Sequence, residues 1–291
     1  MIGVSRRAAT PGPGAAHIAC DLTDPDATAA LIGRVAPDVI VHTQALSDVD
    51  ACERDPAEAH RQNVEATAHL CRAIDGRSTV LLGLSTDYVF DGAKTTPYDE
   101  DDAPRPLSVY GRTKVESEAL VRRHPFGFVA RVSTLFGPDR KNFCGETARR
   151  LAAGEPVEAH TDQVTSPSYT EDVAEALAAL LAALPQQQWS ELPRVYHVTN
   201  AGSCRRLDLV TRVAQELGAS LELVRPIQMA AQGRPARRPS YSAMTSRHLA
   251  RLTERMIRGW QEALHVYLQQ ARWLDSPSGS PTRPRASASS A

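Results

Sequence analysis

Tyr110 and Lys114 stand four residues apart in a stretch of helical periodicity. On a helix that spacing puts a phenol and an ammonium on one face. A free phenol holds its proton up to a pKa of about 10. A neighbouring lysine cation favours the phenolate and would make the tyrosine a usable acid near neutrality; the same lysine could hydrogen-bond a ribose. About one loop upstream, the apolar run at residues 80–84 enters Ser85 and Thr86. Hydroxyls at the carboxyl end of a parallel strand face the crevice where α/β sheets bind ligands, so Ser85 or Thr86 could hold a carbonyl oxygen while Tyr110 protonates it. Taken singly, tyrosine–lysine pairs occur on many helices and polar strand ends cap turns. Together and in this order they point to carbonyl chemistry.

The elements that must position these groups alternate along the chain. Residues 1–5, 38–42, 78–84 and 127–132 read as strands, and residues 27–35, 58–74 and 110–123 as helices. Repeated βαβ of this kind predicts an α/β fold with a doubly wound, mostly parallel sheet. After residue 137 the rhythm changes: 142–153, 171–184, 207–217 and 258–270 read as helices, 194–199 as a strand and 232–240 as a loop. The expected organisation is a dinucleotide-binding domain over 1–137, a mixed substrate-binding and sheet-completing region over 138–274, and a disordered tail over 275–291, whose Ser, Pro, Arg, Ala and Gly cannot build a core.

Composition narrows the class. Across 291 residues, 42% are hydrophobic and 23% charged, ordinary values for a soluble protein. A formal net charge of −1 gives no reason to expect nucleic acid as a partner. No stretch approaches the roughly 18 apolar residues of a membrane span, and with residues 1–5 read as a strand no secretory signal is expected. The five cysteines lack metal-ligand spacing and read as reduced cytoplasmic thiols. Asp48 and Asp50 offer no third ligand, so no metal is expected.

With these motifs in view, the chain resembles the extended short-chain dehydrogenase/reductases, and within them the dTDP-4-dehydrorhamnose reductase group. The resemblance rests on S-T-D-Y-V-F-D-G at residues 85–92, on P-L-S-V-Y-G-R-T-K at 106–114 and on R-P-S-Y-S-A at 238–243. Shorter likenesses lie at 37–41, 63–66, 162–163 and 166–167. It implies reduction of the C4 ketone of a nucleotide-linked 4-keto-6-deoxyhexose by NADPH, with NADH as the alternative. Thr86, Tyr110 and Lys114 would be catalytic. Arg6, Arg7, Asp21, Leu22 and Ala45 would join Tyr110 and Lys114 in holding cofactor, the arginines favouring a 2′-phosphate. Asp48, Ser85, Thr86, Thr134 and Arg238 would meet the substrate, and Asn63 would be structural. A homodimer is compatible with this reading.

Two departures from the group stand out. The strand, glycine-rich turn and helix that normally precede the ribose-reading position are not in this sequence, and Gly12 and Gly14 do not replace them. The expectation is a natural start roughly 25–30 residues upstream. Thr134 stands where the rhamnose-forming enzymes carry tryptophan, which leaves the sugar open. Two rival functions remain at this stage: a non-catalytic regulatory subunit like the β subunit of methionine adenosyltransferase, and a sugar-nucleotide epimerase or dehydratase.

Overall fold

The computed structural model describes residues 1–7, 14–138, 141–184 and 187–270; Gly12 and the tail expected over 275–291 lie outside them. The chain runs β1 (Ile2–Ser5), β2 (Ala16–Ala19), α1 (Pro25–Val35), β3 (Val39–His42), α2 (Val49–Arg54), α3 (Pro56–His60), a π-helical turn (Arg61–Glu65), α4 (Ala66–Ala73), β4 (Val80–Thr86), α5 (Val109–Arg123) and β5 (Gly127–Val132). It continues with β6 (Leu135–Phe136), α6 (Phe143–Ala152), β7 (Val157–His160), β8 (Val164–Thr165), β9 (Ser168–Tyr169), α7 (Thr170–Ala183) and β10 (Val195–His197). Last come β11 (Cys204–Arg205), α8 (Arg206–Leu217), β12 (Val224–Ile227), α9 (Arg247–Thr253) and α10 (Trp260–Gln269).

The main sheet has the order β10-β5-β4-β3, with every pairing parallel. Alternation along its strands sends Leu81, Val129 and Val195 to one face, against Ile32, Leu70, Ile74 and Val121 of α1, α4 and α5. The opposite face carries Leu82, Phe128, Ala130 and Tyr196 against Val173, Leu177 and Leu180 of α7 and Leu249 of α9. This is the period of two that a sheet covered on both faces requires. The α/β doubly wound expectation is borne out. A separate core beyond the sheet joins α6, α8 and α10 to β7 around Phe136, Tyr169, Trp260 and Tyr267.

Several elements differ from the sequence reading. β1 and β2 pair in parallel with each other and form their own two-stranded sheet, so the parallel sheet falls into two pieces. Ile2 and Val4 of β1, and Val39 and Val41 of β3, stay 41–46% exposed. The helix expected over 58–74 begins earlier, at Pro56 behind an Asp55 cap. It is then interrupted by the π turn, which the spacing of apolar residues in so short a segment does not announce. The short elements β2, α2, β7, β12 and α9 carry too little pattern to be read in advance.

Two histidines are buried and neutral. Desolvation holds His42 down to about 3, helped by the Lys114 charge, and burial followed by the Arg131 charge does the same to His197. In the unfolded chain both take protons near 6.5. The unfolded state therefore binds more protons between these values, and the fold loses stability as pH falls below 6.5. Two such groups give a limiting slope of about 2.7 kcal/mol per pH unit. Asp87, whose buried carboxyl is raised, offsets part of this. Thermal melts from pH 7 to pH 5 should show Tm falling steadily; a flat Tm would mean that these imidazoles are protonated in the fold.

Candidate active site

The carboxyl end of β4 delivers Ser85 and Thr86, and the chain then turns through a short 3-10 segment, Asp87–Val89. The Thr86 hydroxyl donates to Asp87 Oδ1 (3.1 Å) and accepts the Tyr88 N–H (3.2 Å). Asp87 is buried and also receives the hydroxyls of Ser133 (2.7 Å) and Ser242 (2.6 Å). Two short donors anchored on different elements fix the carboxylate and, through it, the position of Thr86.

α5 supplies the other groups. Ser108 caps it by accepting the Gly111 N–H, Tyr110 lies in its first turn, and Lys114 follows one turn later. Gly111 is dictated by packing: a Cβ there would lie 2.3 Å from the Tyr88 carbonyl oxygen. The bond from Ser85 Oγ to Glu118 Oε1 (2.5 Å) and the Glu118–Arg131 ion pair tie α5 to β4 and β5.

The protonation states differ from the sequence expectation. Burial pushes the Tyr110 phenol well up, opposed first by its hydrogen bond with Thr86, and Lys114 does not draw it down. Burial also lowers Lys114 to about 8, against the pull of Glu118. Desolvation outweighs the charge pairing that the helical spacing suggested. Tyr110 therefore keeps its proton through the neutral range, and Lys114 is mostly charged at pH 7.

Two cavities carry most of the residues expected at the site. One of about 560 Å³ is lined by Ser85, Thr86, Tyr110, Thr134, Lys141 and Arg206, among others. Thr134 sits there at φ 37°, a left-handed conformation unusual for a β-branched residue, with its hydroxyl 2.6 Å from that of Thr165. The second cavity, about 210 Å³, brings together Arg6, Asp21, Leu22, Gln44 and Ala45. Its loop is clamped by Asn63, which accepts the Leu46 N–H (2.7 Å) and donates to the Leu46 carbonyl (3.2 Å) and the Thr113 hydroxyl (3.0 Å).

Four residues expected at the site, Lys114 among them, line neither cavity. Arg7 is exposed and outside the lining of the second cavity. Asp48 caps α2 by accepting the Ala51 N–H. Arg238 pairs bidentately with Asp50, at 3.0 and 2.8 Å. Asp87, Gln44, Glu118 and Arg206 escaped the sequence reading. Asp87 and Glu118 lie inside or next to the quoted motifs, but nothing in the spacing of Arg205 and Arg206 singles one of them out.

The residues present fit a dinucleotide at its two ends. Gln44 Oε1 is buried in the second cavity without a hydrogen-bond partner, an orphan acceptor suited to a ligand donor. The Lys114 side chain is buried, one helical turn after Tyr110 on α5. Among the described residues no glycine-rich turn stands between these ends.

A hydroxyl, a protonated phenol and a buried ammonium at the carboxyl end of a parallel sheet make the site of an α/β oxidoreductase. The chain belongs to the family described as the RmlD substrate binding domain, whose model matches residues 3–273. It is 38% identical over 255 residues to the dTDP-4-dehydrorhamnose reductase of Mycobacterium tuberculosis, covering 85% of this chain and 81% of that one. A dTDP-4-dehydrorhamnose reductase from Clostridium acetobutylicum superposes with a TM-score of 0.81 at 26% identity, covering 92% of this chain and 98% of that one. The Bacillus anthracis enzyme of the same name, solved in complex with NADP, gives 0.82 at 24% identity, with 93% and 99% covered. The group resemblance read from the motifs is thereby borne out.

Proposed function

We infer that the chain is an NADPH-dependent reductase acting on the C4 ketone of a dTDP-linked 4-keto-6-deoxyhexose. The observation that carries this reading is the protonated Tyr110 beside Thr86 on one cavity, with the Lys114 charge buried one turn further along α5. When bound, a reduced nicotinamide supplies the hydride that C4 receives. Tyr110 donates its proton to the ketone oxygen as that oxygen gains charge. Thr86, anchored by Asp87, hydrogen-bonds the same oxygen. The phenolate left on Tyr110 is stabilised by the Lys114 ammonium, which also holds the nicotinamide-side ribose. Arg6 and Asp21 hold the adenosine side, where the Arg6 guanidinium favours a 2′-phosphate and hence NADPH over NADH. The names of the relatives favour reduction over the epimerase, dehydratase and regulatory-subunit readings. Among the described residues no helix is long and apolar enough to cross a membrane.

Titrating NADPH into the folded chain, followed by nicotinamide fluorescence, should give a Kd on the order of 1–100 μM. Oxidation of the bound NADPH should then require a dTDP-4-keto-6-deoxyhexose. A folded protein that neither binds nor oxidises NADPH would overturn the reading. The kcat/KM should fall as pH rises through about 8, where Lys114 loses its charge in the free enzyme. The fold should gain stability over the same rise, because the unfolded lysine keeps its proton up to 10.5 while the buried one has lost it.

A further inference from the structure

We propose that Arg206, at the start of α8, is the anion-recognising residue of the catalytic cavity and grips the diphosphate of the nucleotide sugar. The proposal rests on the functional reading above and adds to it the group that neutralises the substrate. Arg206 lines the same cavity as Thr86 and Tyr110. Its guanidinium stacks 4.1 Å from the centroid of the Phe143 ring, which fixes the plane of the fork. Its Nη1 is buried and has no hydrogen-bond partner. Among the described residues no carboxylate lies within ion-pair distance of it. A buried charged donor left without an acceptor is costly, and an anion entering the cavity supplies what it lacks.

The neighbouring cations are committed elsewhere. Both terminal nitrogens of Arg238 are taken by Asp50, and its Nη1 also donates to the Ala236 carbonyl. Arg205 is held by Asp208 at 2.9 and 3.0 Å. Lys141 is mostly exposed and stands 3.5 Å from Glu146. Arg206 is thus the arginine of the cavity lining that no described carboxylate pairs, and a diphosphate, charged on each phosphate, matches a planar fork better than any uncharged part of the substrate. On this assignment Arg238 is a brace between its own loop and α2, in place of the substrate ligand that the resemblance implied.

The test compares dTDP with thymidine by titration calorimetry on the wild type, Arg206→Met and Arg206→Lys, each checked by circular dichroism. Arg206→Met keeps an apolar stem on Phe143 and removes the charge. It should weaken dTDP by about ten- to a hundredfold, leave thymidine unchanged, and raise KM by a similar factor with kcat within severalfold. Arg206→Lys should recover part of the loss and provides the comparison if the methionine variant does not fold. Equal dTDP affinity in wild type and variant overturns the proposal, as does a loss shared by thymidine, which would mark a packing defect. A wild type that reduces the ketone while Arg206→Met behaves identically sinks the clamp alone. A wild type that neither binds dTDP nor reduces the ketone sinks the functional reading and the clamp together.

Discussion

Replacing Tyr110 with phenylalanine should lower kcat by about 10²–10⁴-fold and leave NADPH affinity near the wild-type value. Desolvation raises the phenol, so its proton stays in place at neutral pH. That is the form a ketone reduction needs, and phenylalanine fills the same space without the acid. Thr86 would remain to hydrogen-bond the ketone oxygen, yet a threonine hydroxyl is too weak an acid to replace the phenol. The measurement is single-turnover oxidation of bound NADPH after mixing with the dTDP-linked ketosugar. A rate equal to wild type would assign the proton to another group, and a parallel loss of NADPH binding would make Tyr110 a cofactor ligand first.

The largest stability effect is expected at the Glu118–Arg131 pair. Both side chains are almost wholly buried, at 4% and 2% exposure, and meet through two parallel bonds of 2.9 and 2.8 Å. Glu118→Ala would strand the Arg131 charge among Phe90, His197 and the sheet, and should cost about 3–5 kcal/mol. Removing both charges together, Glu118→Leu with Arg131→Met, should cost much less, because a buried pair is often no more stabilising than apolar residues of similar volume. Urea unfolding of the wild type, both single variants and the double variant provides the cycle. Near-additive losses would show that the two charges do not depend on each other. The same substitution removes the acceptor of the Ser85 hydroxyl and loosens α5 against β4.

The parts of this molecule that were legible in the sequence share a physical basis. Residues 80–84 are a continuous apolar run, and 127–132 one interrupted by Arg131, because both faces of their strands are covered, and such runs announce a buried parallel sheet. Thr86, Tyr110 and Lys114 were found because strand end and helix face are local geometries. What depended on distant contacts was not legible. Asp50 and Arg238 lie far apart in the chain, so nothing local showed that one would occupy the other. The direction of the Tyr110 shift is set by burial, a tertiary property that outweighs the four-residue spacing from Lys114. Arg206 differs from Arg205 only in which way the start of α8 faces, and no pattern in C-R-R-L-D encodes that.

The π turn at Arg61–Glu65 sets a limit on engineering this protein for heat resistance. Shortening the turn by one residue would restore ordinary helical bonding and favour the helix taken alone. It would also rotate everything upstream by roughly 100° relative to α4. Asn63 could not then face both Leu46 and Thr113 while Thr67 still reached His42 and Ser117. A one-residue deletion at this turn should therefore lower Tm as well as turnover, so that screens for heat resistance and for activity both keep the extra residue.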